Sequence, residues 1–270
     1  MPTGPAAGTG RVDVGGFELF YECRGSGTPT IITEAGYDSA GTSTWFPVFD
    51  ELASISRTCV YDRAGTGSSD DRPEADGLTS ADQATELHAL LAGAEIEPPY
   101  VLVGHSYGGF ISRLFADAYP HETAGLVLIE SSHEDEIEPY REFYGEAPDG
   151  DWIDGGDLLD IGATEAALRE ARDYGDIPLV AIRAERYDDV LTEQLWRRTQ
   201  ADLATLSTKG LHVVALGSGH FVMEPGENPG VILVAVQTVV ESARSGGPLP
   251  SCEEVFAASD AACPLTRQPS

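Results

Sequence analysis

The stretch VGHSYGG places a serine, Ser106, between two glycines, Gly104 and Gly108. A serine hydroxyl is a poor nucleophile at neutral pH unless a base takes its proton and fixed dipoles stabilise the oxyanion that forms. Glycines at these two positions allow a strand and a helix to approach closely around a tight turn that exposes the hydroxyl. The amide of Tyr107, at the start of the helix, would point to where negative charge develops. The spacing therefore predicts a nucleophilic serine with one oxyanion donor beside it.

Short runs rich in β-branched residues alternate with helical patterns along the 270 residues. Most of the predicted strands are almost wholly apolar, which is typical of strands buried on both faces of a parallel sheet. The alternation predicts one α/β domain over residues 11–270, built on a mostly parallel, doubly wound sheet of about eight strands. The predicted strands cover residues 17–23, 30–36, 58–63, 100–104, 125–130, 178–183 and 212–217.

One segment, from about residue 132 to residue 177, interrupts this alternation and is termed the inserted segment. It is rich in Asp, Glu, Gly and Tyr and holds one helical pattern at residues 164–175, which predicts a small lid over the carboxyl ends of the strands. The acidic residues concentrated at 131–157 are interpreted as a solvated surface. Four aromatic residues either line an apolar pocket or form the core of the lid itself: Tyr140, Phe143, Tyr144 and Trp152.

The four cysteines are predicted to form two disulfides, the alternative being buried, unpaired thiols. Cys252 and Cys263 lie in a Pro-rich tail, residues 245–270, with little apolar periodicity, so a local bridge would hold it. Cys23 ends one predicted strand and Cys59 begins another, and a bridge can form if these strands are antiparallel neighbours. Two bridges would indicate an oxidising compartment. We therefore expect a secreted or extracytoplasmic protein, although the first ten residues lack the pattern of a signal peptide.

The charge balance limits the possible partners. A formal net charge of −29, with Lys209 as the only lysine, disfavours nucleic acids and anionic membrane surfaces. No stretch reaches the roughly 20 apolar residues of a membrane helix, so no membrane span is expected. No group of cysteines and histidines has metal-ligand spacing, and neither a metal nor an organic cofactor is expected.

Five motifs, in this order, resemble those of the α/β-hydrolase superfamily, in its serine-esterase-like branch: ITEAGY, VYDRAGTGSSD, VLVGHSYGGF, GLVLIESSHED and GSGHF. The resemblance extends from Phe17 to about Ala243 and implies the α/β-hydrolase fold. In the second motif, Asp62 and Arg63 are expected to support the active-site loops by buried pairing rather than to react. The motifs are much less specific for a substrate than for the fold.

The resemblance also implies a base and a second oxyanion donor. His220 follows the last predicted strand on a Gly-rich loop, where the family has its catalytic base. Ala35 and Gly36 stand where the family usually has His-Gly, and because Gly36 preserves the sharp turn, the amide of Tyr37 is expected to be the second donor. His105 is expected to point away through the turn. The histidines interpreted as packing or surface residues are His88, His105, His121, His133 and His212.

Two positions compete for the carboxylate that must accept the second ring N–H of His220. Many relatives carry it after the sixth predicted strand, which nominates Asp188, with Glu185 and Asp189 close by. Others, such as haloalkane dehalogenases, carry it at the end of the preceding strand, where Glu130 stands. Glu130 ends a buried apolar run, where an unpaired charge is costly, whereas the acids near Asp188 lack the family's usual Gly-x-x-Asp pattern. We therefore favour Glu130 over Asp188.

These residues predict a serine hydrolase with a triad of Ser106, His220 and Glu130 that cleaves a carboxylic ester or lactone through an acyl-enzyme. The many acidic residues favour a neutral or cationic small molecule as substrate. A serine at the nucleophile position argues against dehalogenase and epoxide hydrolase activities, which need a carboxylate there. The alternatives are a peptidase or amidase of the same fold and a hydrolase-like binding protein with a vestigial site.

Overall fold

The computed structural model of the protein describes residues 8–73, 76–136, 139 and 153–264. The strands are β1 (Gly8–Asp13), β2 (Glu18–Arg24), β3 (Thr30–Glu34), β4 (Thr58–Tyr61), β5 (Asp76–Leu78), β6 (Tyr100–His105), β7 (Thr123–Ile129), β8 (Ile153–Asp154), β9 (Asp157–Leu159), β10 (Pro178–Ala184), β11 (Lys209–Ala215) and β12 (Ala261–Ala262). The helices are α1 (Gly41–Trp45), α2 (Phe49–Ile55), α3 (Ser80–Gly93), α4 (Gly108–Ala118), α5 (Ile161–Glu170), α6 (Val190–Leu203), α7 (Pro229–Ser245) and α8 (Cys252–Phe256).

Nine of the described strands form one sheet in the order β1-β2-β4-β3-β6-β7-β10-β11-β12. The six strands from β4 to β11 in that order are parallel, whereas β2 is antiparallel to β1 and β4, and β12 is antiparallel to β11. The prediction of a mostly parallel α/β sheet is confirmed. The prediction missed β1 and the two-residue β12 because these stretches are too short or too polar to show strand periodicity.

Helices cover both faces of the sheet, and each face has its own apolar core. Along β6 the side chains alternate between them. Tyr100 and Leu102 belong to the core beneath α3, α4 and α5, whereas Val101 and Val103 belong to the core beneath α2 and α7. This alternation is the two-residue period of a strand, and because both faces are buried, the run is apolar without interruption.

The described part of the inserted segment is packed onto the domain. β8 and β9 form a small sheet with β5, and α5 packs against α3 and α4. The helix predicted in this segment is α5, which begins at Ile161 because the side chain of Asp160 accepts a hydrogen bond from the Ala163 amide. The four aromatic residues proposed for the lid, Tyr140, Phe143, Tyr144 and Trp152, lie outside the described residues. The assignment of residues 132–177 as a lid stays a prediction.

The interpretation of residues 131–157 as a solvated surface is wrong at both ends of the range. Asp154 and Asp157 are buried near its end, and buried residues also stand at its start. Ser131, His133 and Glu134 are buried. The Glu134 carboxylate accepts two hydrogen bonds, at 2.7 and 3.1 Å, from the buried guanidinium of Arg113 in α4. Burial would raise the pKa of Glu134, but Arg113 outweighs it and holds the pKa below its ordinary value. Acidic residues here pair in the interior, which a charge count along the sequence cannot distinguish from a solvated run.

Both predicted disulfides are present. Cys23 of β2 lies directly opposite Cys59 of the antiparallel strand β4, and the two are bonded. Cys252, the first residue of α8, is bonded to Cys263, which follows β12. The second bridge therefore holds the tail against the sheet edge formed by β11. None of the helices in the described ranges is long and apolar enough to cross a membrane.

Candidate active site

Ser106 lies in the tight turn that joins β6 to α4, where it is half-buried. Its φ angle of +52° lies in the left-handed region, which costs a residue with a Cβ atom roughly 1–2 kcal/mol. Three backbone hydrogen bonds hold Ser106 in the turn. Its amide donates to the Ile129 carbonyl at 3.1 Å, and its carbonyl accepts from the amides of Gly109 at 2.9 Å and Ser132 at 3.0 Å. The surrounding structure therefore imposes the strained conformation that presents the serine.

The glycines of the motif are required by close approaches of the backbone. A Cβ atom on Gly104 would lie 2.7 Å from the carbonyl oxygen of Gly108. A Cβ atom on Gly108 would lie 2.5 Å from the carbonyl oxygen of Ala35. Neither overlap could be relieved by moving a side chain, because both involve backbone atoms. The two glycines thus let β6, α4 and the end of β3 meet around Ser106.

Glu130 directly follows β7, is fully buried and has a φ angle of +43°. Its Oε2 lies 3.3 Å from Nδ1 of His220. Its Oε1 accepts hydrogen bonds from the Ala184 amide at 2.6 Å and from the Tyr187 hydroxyl at 2.7 Å. Burial, together with the Glu130 charge, raises the pKa of Tyr187, so the phenol stays protonated and donates. The buried carboxylate is therefore satisfied by three groups, one of which is the His220 ring.

The other candidate acids have different positions and contacts. Asp188 is exposed at the rim of the site. Asp189 caps α6, and its side chain accepts a hydrogen bond from the Thr192 amide at 2.9 Å. Glu185 is exposed and accepts a hydrogen bond from the Gly217 amide at 2.8 Å. Of the acids nominated from the sequence, the structure brings Glu130 to the histidine.

His105 does not point away from the site, and the expectation that it does is wrong. Its Nε2 lies 2.9 Å from the carbonyl oxygen of His220, and since a carbonyl only accepts, Nε2 carries the proton. The two rings are in contact, with centroids 4.8 Å apart. Burial and the nearby His220 ring lower the pKa of His105 to about 3, so it is neutral at ordinary pH. No local pattern in the sequence links these two positions.

The end of β3 lies beside the serine. A Cβ atom on Gly36 would lie 3.5 Å from Cβ of Ser106. The guanidinium of Arg63 donates to the carbonyl oxygen of Ala35 at 2.9 Å and to that of Gly36 at 2.6 Å. Because the N–H of a trans peptide points opposite to its carbonyl, the amide of Tyr37 is directed away from Arg63. Arg63 therefore orients this peptide in the absence of the histidine that the family usually has there.

Buried pairing supports the loops around the site. Asp62 accepts hydrogen bonds from the amides of Thr42 and Ser68, both at 2.9 Å. Arg63 forms two hydrogen bonds with Asp154 of the inserted segment, at 2.7 and 2.8 Å. Burial would raise the pKa of Asp154, but the charge and hydrogen bonds of Arg63 outweigh it and hold the pKa below its ordinary value. The expected supporting role of the Asp62-Arg63 pair matches these contacts.

A family model of the alpha/beta hydrolase fold matches residues 32–212, more than half of the chain. The chain belongs to the α/β-hydrolase family. This α/β-hydrolase is 27% identical over 220 residues to the uncharacterized protein YqjL of Bacillus subtilis, and the match covers 80% of this chain and 85% of YqjL. It is 33% identical over 115 residues to the putative carbamate hydrolase RutD of Azorhizobium caulinodans, covering 43% of this chain and 42% of RutD.

A solved esterase from Thermogutta terrifontis is also similar to this α/β-hydrolase. The two structures superpose with a TM-score of 0.61 at 20% identity, over 88% of this chain and 99% of the esterase. At that identity the likeness is one of fold. The α/β-hydrolase fold does not by itself fix the reaction or the substrate, which depend on the site.

The α/β-hydrolase has a cleft of ≈ 540 Å³ beside His220. The His220 side chain is 35% exposed, and its ring lies edge-on to Trp196 with centroids 5.4 Å apart. Among the hydrogen bonds of the described residues, none joins Ser106 Oγ to the His220 ring. Within the same ranges, no cluster of three or more His, Cys, Asp or Glu residues is placed to hold a metal ion. The cleft is lined by Glu130, Arg186, Tyr187, Asp188, Asp189, Thr192, Trp196, Gly219 and His220.

Proposed function

We propose that this α/β-hydrolase cleaves the carboxylic ester or lactone of a small molecule through an acyl-enzyme formed on Ser106. The observation that carries the proposal is the pairing of the buried Glu130 carboxylate with Nδ1 of His220, beside a turn that presents a serine with positive φ. A carboxylate that holds Nδ1–H leaves Nε2 free to accept a proton, which is the arrangement that a serine nucleophile requires.

The mechanism has two halves. Ser106 Oγ attacks the ester carbonyl while His220 Nε2 takes its proton, and the amides of Tyr37 and Tyr107 hold the oxyanion. His220 then protonates the alcohol, which leaves. Water attacks the acyl-enzyme with His220 again as base, and collapse of the second oxyanion releases the acid and returns the proton to Ser106. The hydrogen bond from Ser106 to His220 forms in the substrate complex, because such bonds often tighten only when substrate is bound.

Charge supports a neutral or cationic substrate. The cleft beside His220 carries the carboxylates of Asp188 and Asp189 on its rim. Arg186, the arginine among its described lining residues, is paired with Glu227 at 2.7 Å. Together with the formal net charge of −29, this arrangement would repel an anionic ester.

We also propose that the protein acts outside the cytoplasm. The two disulfides, Cys23–Cys59 and Cys252–Cys263, support this location because such bonds persist in oxidising compartments.

Two alternatives to ester hydrolysis are distinguished by experiment. A peptidase or amidase of the same fold would use the same residues on an amide, and the name of RutD adds a carbamate to the bonds worth testing. A binding protein with a vestigial site would bind a ligand and turn nothing over. The presence of a serine, a histidine and a paired buried acid in one place argues against a vestigial site.

Covalent labelling tests the proposal directly. A fluorophosphonate should add one phosphonyl group to Ser106 in the folded protein, and Ser106→Ala should remove both the adduct and the activity. Activity should be measured on p-nitrophenyl esters of graded acyl length, on lactones, on an aryl carbamate and on an amino-acid anilide. Turnover of the esters or lactones above the others supports the assignment. Absence of the adduct from the folded protein would overturn it, and faster turnover of the anilide would make the protein an amidase.

A further inference from the structure

Asp154 is a buried carboxylate that the proposed reaction does not use. It belongs to β8 in the inserted segment and is 1% exposed. Its Oδ1 accepts hydrogen bonds from Nη2 of Arg63 and from the amide of Asp38, both at 2.8 Å. Its Oδ2 accepts hydrogen bonds from Nε of Arg63 at 2.7 Å and from Nε2 of Gln83 at 2.8 Å. All four groups around Asp154 are donors, and they come from three separate parts of the chain.

Two of these partners hold the loop that contains Tyr37. Arg63, fixed by Asp154, binds the carbonyl oxygens of Ala35 and Gly36. On the other side of Tyr37, the amide of Asp38 binds Asp154 itself. The peptides on both sides of Tyr37 are therefore anchored, directly or through Arg63, to one carboxylate. This fixes the direction of the Tyr37 amide, because rotation of its peptide would break the bond from Arg63 to Gly36.

The third partner leads to Tyr107. Since Nε2 of Gln83 donates to Asp154, its Oε1 must face the other way, where it accepts a hydrogen bond from the Tyr107 hydroxyl at 2.7 Å. The Tyr107 hydroxyl in turn accepts a hydrogen bond from Ser80 at 2.9 Å. Tyr107 is fully buried at the start of α4, and this chain of contacts connects its side chain to Asp154. The rings of Tyr37 and Tyr107 also meet edge to face, with centroids 6.2 Å apart.

We propose that Asp154 is a positioning residue that aligns both oxyanion donors, and that β8 thereby affects the reactivity of Ser106. This inference rests on the proposed function, in which the amides of Tyr37 and Tyr107 hold the oxyanion. Oxyanion stabilisation depends on donors that are already aimed before charge develops, so a small loss of alignment slows the reaction without weakening the binding of the uncharged substrate.

The substitution Asp154→Asn tests this with little change of shape. In either orientation of the new side-chain amide, its NH2 group faces a hydrogen-bond donor, because every partner of Asp154 donates. We expect kcat on a short p-nitrophenyl ester and the rate of fluorophosphonate labelling to fall in parallel, by about 10- to 100-fold, which is below the loss expected on deleting a whole oxyanion donor. KM should stay within about twofold, and the affinity for a phenylboronic acid, which forms a tetrahedral adduct on Ser106, should fall with kcat.

A matched control and a rescue separate alignment from general damage. Asp157→Asn lies in the same small sheet and removes a carboxylate paired with Arg72, away from the Tyr37 loop. It should leave labelling within about twofold of the wild type, because its partner Arg72 is not among the groups that bind the Tyr37 loop. The double variant Asp154→Asn with Gln83→Glu gives the new amide an acceptor and returns a negative charge near Arg63. It should recover about tenfold of the lost rate, since contacting positions are coupled.

The outcomes distinguish this inference from the proposed function. If the wild type is not labelled, the proposed function fails. If the wild type is labelled and Asp154→Asn is labelled equally fast, or if the loss appears in KM alone, the positioning role is overturned. An equal loss in Asp157→Asn would also overturn it, because the effect would then be general damage to the small sheet. If Asp154→Asn does not fold, Gln83→Met, which cuts the link to Tyr107, takes its place, and an unchanged labelling rate there overturns the inference.

Discussion

Replacing Glu130 by glutamine should nearly abolish the reaction while the fold persists. The direction of the new amide is dictated by the neighbours of the carboxylate. Oε1 of Glu130 faces two donors, the Ala184 amide at 2.6 Å and the Tyr187 hydroxyl at 2.7 Å. The glutamine carbonyl must take that position, because an NH2 group there would be a third donor facing the Ala184 amide and the Tyr187 hydroxyl, with no acceptor among them. The NH2 group is therefore left facing Nδ1 of His220.

This orientation imposes the wrong tautomer on the histidine. An NH2 group opposite Nδ1 requires that nitrogen to accept, so the proton moves to Nε2, which can then no longer take the proton of Ser106. The equivalent change in a Ser-His-Asp protease lowers kcat by about 10⁴, which corresponds to about 5.5 kcal/mol in the activation free energy. We expect a loss of this order for Glu130→Gln.

The assay is the rate of fluorophosphonate labelling, together with kcat on a short p-nitrophenyl ester, for two matched amide variants. Asp188→Asn makes the same chemical change at the exposed alternative acid and should stay within about twofold of the wild type. Thermal unfolding of both variants checks that the fold persists. If Glu130→Gln kept full activity while Asp188→Asn lost it, the assignment of Glu130 would be refuted and Asp188 would take its place.

Three further outcomes are expected. Burial raises the pKa of Glu136 to about 8 from an ordinary value near 4.5, so ionisation of this carboxyl opposes folding as pH rises through this window. In urea unfolding, the free energy of unfolding of Glu136→Gln should equal that of the wild type near pH 4 and exceed it by at most about 1.4 kcal/mol more for each pH unit towards pH 8. An equal difference at pH 4 and pH 8 would contradict this. Removing the Cys23–Cys59 bridge, which spans 36 residues, should lower the unfolding free energy by about 4 kcal/mol on the chain-entropy estimate, whereas an unchanged urea midpoint would count against it. His105→Phe should slow fluorophosphonate labelling about fivefold, because one neutral hydrogen bond to the backbone is lost. His105→Gln should restore part of the rate, and equal rates in both variants would show that this hydrogen bond does not affect labelling.

The fold and the neighbourhood of Ser106 were accessible from the sequence because their signals are local. The glycines around Ser106 are set by backbone contacts within β6, α4 and β3, and such contacts leave a fixed spacing in the chain. The carboxyl ends of parallel strands meet at one edge of the sheet, and only β10 separates β7 from β11, which is why Glu130 after β7 and the loop after β11 could be expected near each other. Their roles in catalysis stay proposals.

Other parts of the site carry no local signal. Asp154 reaches Arg63 from a segment without periodicity, and its partner is decided by tertiary placement alone. The burial of Glu134 depends on Arg113, whose place inside α4 looks in the sequence like an ordinary polar position. The contact between His105 and His220 joins a side chain to a backbone carbonyl, which every residue type has. The residue type at position 220 therefore gives no sign of this contact in the sequence.

The short strand β12 has a consequence for how copies of the protein behave toward one another. Ala261 and Ala262 pair with Ala215 and Val214, so part of the outer backbone edge of β11 is occupied. An uncovered edge offers free N–H and C=O groups on which a strand of another molecule can add. Because the Cys252–Cys263 bond holds this strand in place, we expect its reduction to free the edge for such pairing, which repulsion by the net charge of −29 would oppose.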